Sequence, residues 1–448
     1  MPPRHLRGRF RSALILENPH SQLDAALRAQ GLEVQRLPEQ ATRDRDQVLQ
    51  QLREGDHDLL FKRSRFEVDA EVLDAAPHLA AVVLCCIGDD SVDKAACAER
   101  GVMVLNDPVS NGRSVAEMVI GEMICLARRI FISHEAGREH LWTKDSRGRF
   151  ELQGRTIAVI GLGNIGRQVA RLAEAFGMRV VFHDRSAVAR EVGRAFGWRD
   201  CGSLDEAFRL ADVVSLHLSA EDPEGRRNQD VIGTSHFRQL GAALSDVSPR
   251  VFINAARGFL YDPAALREAI SAGWIRAAAV DVFPDEPGSG EDPWHNPYAD
   301  EPAVATTPHI GAATEEAQPR IAAHVAESAR LLNRRGTVRD TVFRPKLEIG
   351  VDAEAGHWIL AVVHSDARGT KKAISDAIYN AGANNLDSSH HDFPRYGIAY
   401  ELAVIDQPLD QRQLAALEHD AAELTGDPGA IRSLRQFQVE EPTHDSPA

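Results

Sequence analysis

The sequence predicts an α/β protein of more than one domain: two doubly wound parallel-sheet domains, then a small α+β module. Three observations predict it. Short β-branched or aliphatic runs alternate with helical patterns over residues 12–343. The second such series opens on a strand that ends in closely spaced glycines. After Lys346 the order changes to strand, helix, strand, strand, helix, strand. At 448 residues the chain is also too long for one compact core.

Each element follows from its own residues. Residues 13–17 read as a strand, and 22–30 as a helix that Gly31 ends. Residues 59–61 and 81–84 are short apolar runs of the kind buried in parallel sheets. A helix over 92–100, closed by Gly101, leads into a strand at 102–105. A long apolar helix spans 114–130, and a charged stretch at 144–149 precedes the second series, which starts at Gly154. Strands run at 156–160, 179–184, 213–217, 251–254 and 277–281, and the last four end in polar residues. Ligands of open α/β sheets bind outside the carboxyl ends of the strands. His217, Asn254 with Arg257, and Asp281 are therefore expected at one crevice. Residues 220–250 make a longer, polar excursion, and a helix over 314–333 carries the chain back to the first domain. The module reads as strand 358–363, helix 370–381, strands near 385–390 and 398–405, helix 410–424 and strand 434–439, a βαββαβ order. The polar tail 441–448 is expected to be disordered.

The strand at 156–160 runs into Gly161-Leu-Gly163-Asn164-Ile165-Gly166. In a G-x-G-x-x-G turn, the first glycine allows the tight strand-to-helix turn. The second lets a pyrophosphate approach the backbone, and the third lets the helix pack on the strand. The helix start then offers N–H groups and a positive dipole end to the phosphates. The next strand ends in Asp184, 23 residues after Gly161, where a carboxylate accepts from the adenosine ribose hydroxyls. This is a Rossmann-like dinucleotide signature. Asp184 favours NAD because it repels a 2′-phosphate, a preference that Arg185 softens.

Three further residues fall in loops after strands. Arg257 lies in Asn254-Ala255-Ala-Arg-Gly258, Glu286 in Asp281-Val-Phe-Pro-Asp-Glu-Pro287, and His309 in Thr307-Pro-His-Ile-Gly311. These types suit oxidation of a 2-hydroxy acid. A guanidinium grips a carboxylate bidentately and polarises the C2 oxygen. A histidine takes the hydroxyl proton as hydride leaves. A carboxylate paired with the imidazole raises its pKa. His217 reads as a cofactor-pocket or structural residue rather than the base.

Composition narrows the partners. A net charge of −15 disfavours nucleic acid and anionic membranes, while allowing a local basic pocket for a small anionic substrate. No apolar run reaches ~18 residues, so no membrane span is expected, and the N-terminus lacks a signal-peptide core. Five cysteines without a C-x-x-C spacing fit a reducing cytoplasm, and the adjacent Cys85 and Cys86 read as packed core. His390-His391 offers two metal ligands but places no third, and His134-Glu135 lacks the second histidine of a zinc-protease motif. No metal is expected.

Over residues 12–440 the chain resembles the D-isomer-specific 2-hydroxyacid dehydrogenases, and most closely the bacterial branch that oxidises D-3-phosphoglycerate and carries a C-terminal ACT domain. The resemblance rests on Arg63-Ser-Arg65, Cys86-Ile-Gly88, Ser110-Asn-Gly-Arg-Ser-Val-Ala-Glu117, GLGNIG, Ser215-Leu-His217, NAARG, DVFPDEP and TPHIG, in that order. It implies a discontinuous substrate-binding domain (1–113 with 307–343), an NAD-binding domain (114–306) and an ACT-like domain (346–440). It implies that Arg257, Glu286 and His309 are catalytic. NAD would be held around Gly161, Gly163, Asn164, Ile165, Gly166, Asp184, His217, Ala255, Asp281 and His309, with Asp281 on the nicotinamide carboxamide. Backbone N–H groups at Cys86 and Ile87 would hold the substrate carboxylate, alongside Arg257. Arg63, Ser64, Arg65 and Asn111 match the phosphoglycerate loop, where basic side chains suit a phosphate. Lys144, with Trp142, would reach a neighbouring subunit in a homodimer built on the helix from 114, and paired ACT modules would give a homotetramer.

Two departures from the family stand out. Asp89 and Asp90 replace more neutral residues near the anionic substrate. In the ACT effector loop, His364-Ser-Asp-Ala-Arg-Gly369, Asp366 stands where an asparagine amide is expected; the later asparagine is Asn384. A carboxylate cannot donate to a serine carboxylate, so a module that only dimerises is the alternative to an effector site. For the whole chain, two other readings stay open: a dehydrogenase of another 2-hydroxy acid, and an NAD(H)-sensing interaction protein.

Overall fold

The structure is a computed structural model that describes residues 3–222, 224–244, 247–287, 292–345 and 348–440. The expected tail at 441–448 lies outside the described residues. The chain forms two compact units, Met1–Ser110 with Gln318–Ala448, and Asn111–Ala317.

The first unit holds two sheets. One is fully parallel, in the order Glu33–Arg36, Ser12–Ile15, Leu59–Lys62, Ala81–Leu84, Met103–Asn106. That is the 2-1-3-4-5 order of a doubly wound sheet. The last three strands are buried at every position, as their apolar runs require. The edge strand Glu33–Arg36 is half exposed and carries one aliphatic residue, so it gave no apolar run to read. The first strand stops at Ile15, two residues short of the expected end, because Glu17 and Asn18 turn into left-handed backbone (φ +61° and +48°).

The second sheet is the C-terminal module. Trp358–Ser365, Asn385–Phe393, Ile398–Ile405 and Ile431–Gln438 pair antiparallel in the order 4-1-3-2. Helices Thr370–Asn380 and Gln411–Thr425 cover one face through Leu360, Val362, Ala403 and Ile405. The other face, including Ile359, Ala361, Val363 and Leu402, joins the large core of the first unit. Arg4–His5 adds a short parallel strand at the outer edge of Ile431–Gln438. Nearby, Arg435 lies buried with its guanidinium 4.0 Å from the Phe10 ring and 4.1 Å from that of Phe437. It donates to the carbonyls of Gly8, Leu332 and Asn333.

The second unit is a seven-stranded parallel sheet. Its order is Val304–Thr306, Ala277–Val280, Val251–Asn254, Val213–Leu216, Thr156–Ile160, Arg179–His183, Arg199–Asp200. The strand order reverses between Thr156–Ile160 and Val213–Leu216, the switch point where a Rossmann sheet binds its dinucleotide. The single helix expected over 114–130 is two: Gly112–Ala127 and Ile130–Arg138, broken where Arg129 adopts φ +56°. The first buries Val115, Val119, Met123 and Leu126. The second buries nothing, and Ile130, Phe131 and Ile132 stand exposed. Ile130, the expected end of the apolar helix, is therefore not core.

Candidate active site

The glycine turn separates what the fold needs from what a ligand needs. Gly161 has φ +93°, and a Cβ there would lie 2.6 Å from the His217 carbonyl oxygen. A Cβ on Gly166 would lie 2.1 Å from the Gly161 carbonyl oxygen, so helix and strand meet only through glycine. A Cβ on Gly163 would meet nothing within 4 Å. Its smallness serves nothing inside the chain and leaves the backbone open to a phosphate-sized group at the start of helix Asn164–Ala175. Asn164 and Ile165 form that first turn. Asp184 follows the next strand, Arg179–His183, and braces the same loop: Leu162 N–H donates to Oδ2 at 2.6 Å and Ser186 N–H to Oδ1 at 2.7 Å. His217 has Nε2 2.9 Å from Ser215 Oγ, and desolvation drops its pKa to about 3. A neutral imidazole so far from protonation is a poor general base at neutral pH. The residues present therefore fit a dinucleotide.

The loops carrying Arg257, Glu286 and His309 interlock within the second unit. His309 Nδ1 lies 2.6 Å from Glu286 Oε2, and Glu286 Oε1 accepts the Phe283 N–H at 3.0 Å. The Glu286 hydrogen bond raises the His309 pKa, against a smaller opposing effect of burial; the charges of Glu286 and Asp281 add to the rise. Burial would raise the Glu286 carboxyl, but His309, the Phe283 N–H and Arg257 outweigh it and hold the pKa below the ordinary value. His309 itself sits at φ +53°, a conformation non-glycine residues adopt at a cost. Asp281 holds it there. The Asp281 carbonyl accepts the His309 N–H, and its carboxylate accepts from Thr307 Oγ1 at 2.6 Å, Ile310 N at 2.8 Å and Gly311 N at 2.9 Å. Asn254 does the same for Arg257. It accepts from Ala256 N and donates to the Arg257 carbonyl, fixing the turn through Ala255. A Cβ on Gly258 would lie 1.9 Å from the Phe283 carbonyl carbon, so the Arg257 and Glu286 loops are in van der Waals contact. The arrangement joins a carboxylate-oriented imidazole to a guanidinium close enough to influence both its members electrostatically.

In the first unit, Arg63 is half-buried while Ser64 and Arg65 are exposed. Sequence reasoning missed what holds them. The buried Glu17 carboxylate accepts the N–H groups of Arg63 (2.6 Å), Arg65 (2.7 Å) and Phe66 (2.5 Å). Its neighbour Lys62 is fully buried and donates to Ser91 Oγ at 2.6 Å. Glu17 follows the first strand at its carboxyl end, the one signal that would have found it. Cys86 and Ile87 lie in the loop after Ala81–Leu84, where Asn106 Nδ2 donates to the Ile87 carbonyl at 2.7 Å. Asp89 is partly offset by Lys94 at 3.4 Å. Asn111 begins helix Gly112–Ala127 in the second unit, buried, with Oδ1 unpartnered among the described residues. Trp142 is 91% exposed, and Lys144 is exposed beside it.

The two expected ACT effector residues are not brought together. Ser365, next to Asp366, shares a register position with Phe393, whereas Trp358 shares one with Asn385, next to Asn384. Eight residues of strand at about 3.3 Å each put Asp366 and Asn384 roughly 25 Å apart. Asn384 is also committed to Asp406, donating from Nδ2 at 2.6 Å and from its backbone at 2.9 Å. Within one chain they make no single site. All five cysteines are free, and burial raises the pKa of Cys85 and Cys97 far enough to keep both thiols protonated.

Comparison with known proteins agrees with this geometry. The family description "D-isomer specific 2-hydroxyacid dehydrogenase, NAD binding domain" matches residues 120–311. The D-3-phosphoglycerate dehydrogenase of Escherichia coli (strain K12) is 33% identical over 373 residues, 83% of this chain and 86% of its own. That of Mycobacterium bovis is 40% identical over 292 residues, 64% of this chain and 51% of its own. Among solved structures, a glyoxylate reductase from Paecilomyes thermophila superposes with a TM-score of 0.63 at 26% identity, covering 74% of this chain and 98% of that one. The chain belongs to the D-isomer specific 2-hydroxyacid dehydrogenase family. It is an NAD-dependent oxidoreductase.

Proposed function

We propose that the protein oxidises D-3-phosphoglycerate to 3-phosphohydroxypyruvate, the entry step of serine synthesis. The observation that carries the chemistry is the 2.6 Å His309–Glu286 pair beside Arg257. NAD, when bound at the glycine turn, supplies the hydride acceptor. His309 takes the C2 hydroxyl proton at Nε2, because Glu286 occupies Nδ1. Glu286 stabilises the imidazolium that forms, and Arg257 orients the carboxylate and stabilises the charge growing on the C2 oxygen. Arg63, Ser64 and Arg65 bind the phosphate, on a loop whose backbone Glu17 organises. The relatives named above support the phosphorylated substrate.

We also propose a homo-oligomer. Ile130, Phe131, Ile132, Leu141 and Trp142 form a solvent-facing apolar series around the broken helix, which suits a subunit contact. Among the described residues no helix is long and apolar enough to cross a membrane. Free cysteines suit a reducing cytoplasm.

The test is NADH oxidation with 3-phosphohydroxypyruvate beside hydroxypyruvate, glyoxylate and 2-oxoglutarate. Strong preference for the phosphorylated acid is expected. An equal or better rate with an unphosphorylated acid would overturn the phosphate assignment while leaving the family chemistry in place. His309→Ala is expected to abolish turnover with NADH binding retained; an unchanged kcat would remove His309 from the role of base.

A further inference from the structure

His390 and His391 lack a third metal ligand in sequence; the C-terminal sheet supplies two. His390 lies directly across from Glu401, and Glu401 across from Val362 on its other side. Val362 faces the helix-covered side of the sheet, and His364 is two residues further on the same strand, so His364, His390 and Glu401 share that face. His364 and His390 stack, with ring centroids 5.5 Å apart. His391 leaves the opposite face and packs edge-on to Phe393. One ligand atom from each of His364, His390 and Glu401 lies within 4.8 Å of the others.

The second ring nitrogen of each histidine is already held. His364 Nδ1 lies 2.7 Å from the Ser365 carbonyl oxygen, which can only accept. The hydrogen is therefore on Nδ1 and the lone pair on Nε2. That Nε2 is buried and has no hydrogen-bond partner, in a residue 1% exposed. His390 Nε2 lies 2.9 Å from Asp392 Oδ1, and Nδ1 lies 2.5 Å from Glu401 Oε2. A carbonyl behind one imidazole and a carboxylate behind the other is the arrangement that orients histidine ligands on a metal.

We propose that His364 Nε2, His390 Nδ1 and the Glu401 carboxylate form a site for a zinc-type divalent cation. Two imidazoles and one carboxylate match the donor preference of that ion and do not suit the all-oxygen shells of calcium or magnesium. The cation takes the place of the proton shared by His390 and Glu401. Their 2.5 Å separation then opens to roughly 3.3 Å, the spacing of tetrahedral ligands about 2.0–2.1 Å from the ion. A fourth position is left for water on the partly exposed His390 side. Lys371 opposes from the covering helix, countered by Glu401 and Asp392. Such a site ties three adjacent strands of the module together, and it stands independently of the substrate assigned above.

The test uses the full-length chain without an affinity tag, stripped with chelator and titrated with Co²⁺ and then Zn²⁺. The expected result is one Co²⁺ per chain with the strong visible bands of a low-coordinate site, displaced by Zn²⁺ and accompanied by a rise in Tm. Asp392→Asn is expected to weaken binding about 10- to 100-fold, and His390→Ala or Glu401→Gln to weaken it further. His419→Ala, at the exposed histidine of the His419–Asp420–Glu423 cluster in the last helix, is expected to change nothing. Retained NADH binding and an unaltered far-UV spectrum check that each variant is folded. Should Glu401→Gln fail to fold, the more exposed His390 decides. No saturable binding by the wild type, or binding that survives His390→Ala or is lost with His419→Ala, would overturn the proposal.

Discussion

Gly163 and Gly166 sit on one turn, and the same substitution should fail differently at each. In Gly166→Ala the new methyl would lie 2.1 Å from a backbone oxygen and 3.1 Å from Val159 Cγ1. Carbon contacts prefer about 3.5–4.0 Å, so strand and helix must part. Overpacking of this kind costs about 1–3 kcal/mol and occasionally more. In Gly163→Ala the methyl meets nothing within 4 Å, and φ −71° with ψ −161° is open to any L-residue. Folding loses only the difference between glycine and alanine as an N-cap, under about 1 kcal/mol. The methyl instead fills the space a pyrophosphate needs. Loss of one charge-assisted hydrogen bond, about 1.5–3 kcal/mol, weakens NADH binding roughly 10- to 100-fold. Guanidinium unfolding and NADH fluorescence titration on both variants separate the effects. Gly166→Ala should unfold earlier; Gly163→Ala should unfold near the wild type yet bind NADH poorly. Wild-type NADH affinity in Gly163→Ala, or equal destabilisation by both, would refute the division of labour.

Three further outcomes follow from the geometry. Hydroxy-acid oxidation needs a neutral His309, whose pKa is raised above 6.5 chiefly by the Glu286 hydrogen bond, so the rate should climb as pH rises through that raised value. Glu286→Gln should move the limb to lower pH and depress kcat, and a pH–rate profile with an unmoved limb would sever the pair from the chemistry. Stability runs the other way: the His309 contribution is full below the unfolded pKa and is lost as pH rises through the raised folded one. Glu17→Gln replaces one acceptor oxygen with a donor facing backbone N–H groups; it should raise KM for the phosphorylated acid about 10-fold, with little change for an unphosphorylated one, and equal effects on both in steady-state assays would count against loop positioning. Arg435→Met should cost about 3 kcal/mol in denaturant unfolding by orphaning the carbonyls of Gly8, Leu332 and Asn333, while leaving NADH affinity unchanged.

What was readable in the sequence was whatever local pattern dictates. Leu59–Lys62, Ala81–Leu84 and Val251–Asn254 announce themselves as buried runs, and the glycines of the nucleotide turn as steric necessities. What was not readable depends on distant partners. Arg4–His5 carries no pattern of its own and is a strand only because Ser433 and Leu434 lie beside it. Ile130 prolongs an apolar helix in sequence, yet Arg129 turns the chain so that it faces solvent. Asp366 and Asn384 look like one effector site along the chain, but the sheet places them at opposite ends. His390 showed one candidate ligand beside it in sequence and has two others across the sheet.

The carboxylates show why residue types located the site better than they explained it. Asp184, Asp281 and Glu286 were expected to meet cofactor or substrate, or to tune a base. Each also accepts a backbone N–H from the loop it serves: Leu162 and Ser186, Ile310 and Gly311, and Phe283. Glu17, which the sequence did not single out, does this for Arg63, Arg65 and Phe66, and Asp107 for Val109 and Ser110 just ahead of Asn111. Loops that carry chemistry cannot satisfy their N–H groups in a helix or sheet without giving up their exposed side chains, and buried amides do not go unpaired. An ionised carboxylate takes two or three of them at once, through short, strong hydrogen bonds. That requirement accounts for acids at the carboxyl ends of strands, and it explains how His309 keeps a left-handed backbone. Conservative replacement of such an acid by its amide should therefore loosen a whole loop, whereas loss of the exposed side chain that the loop presents should remove a single contact.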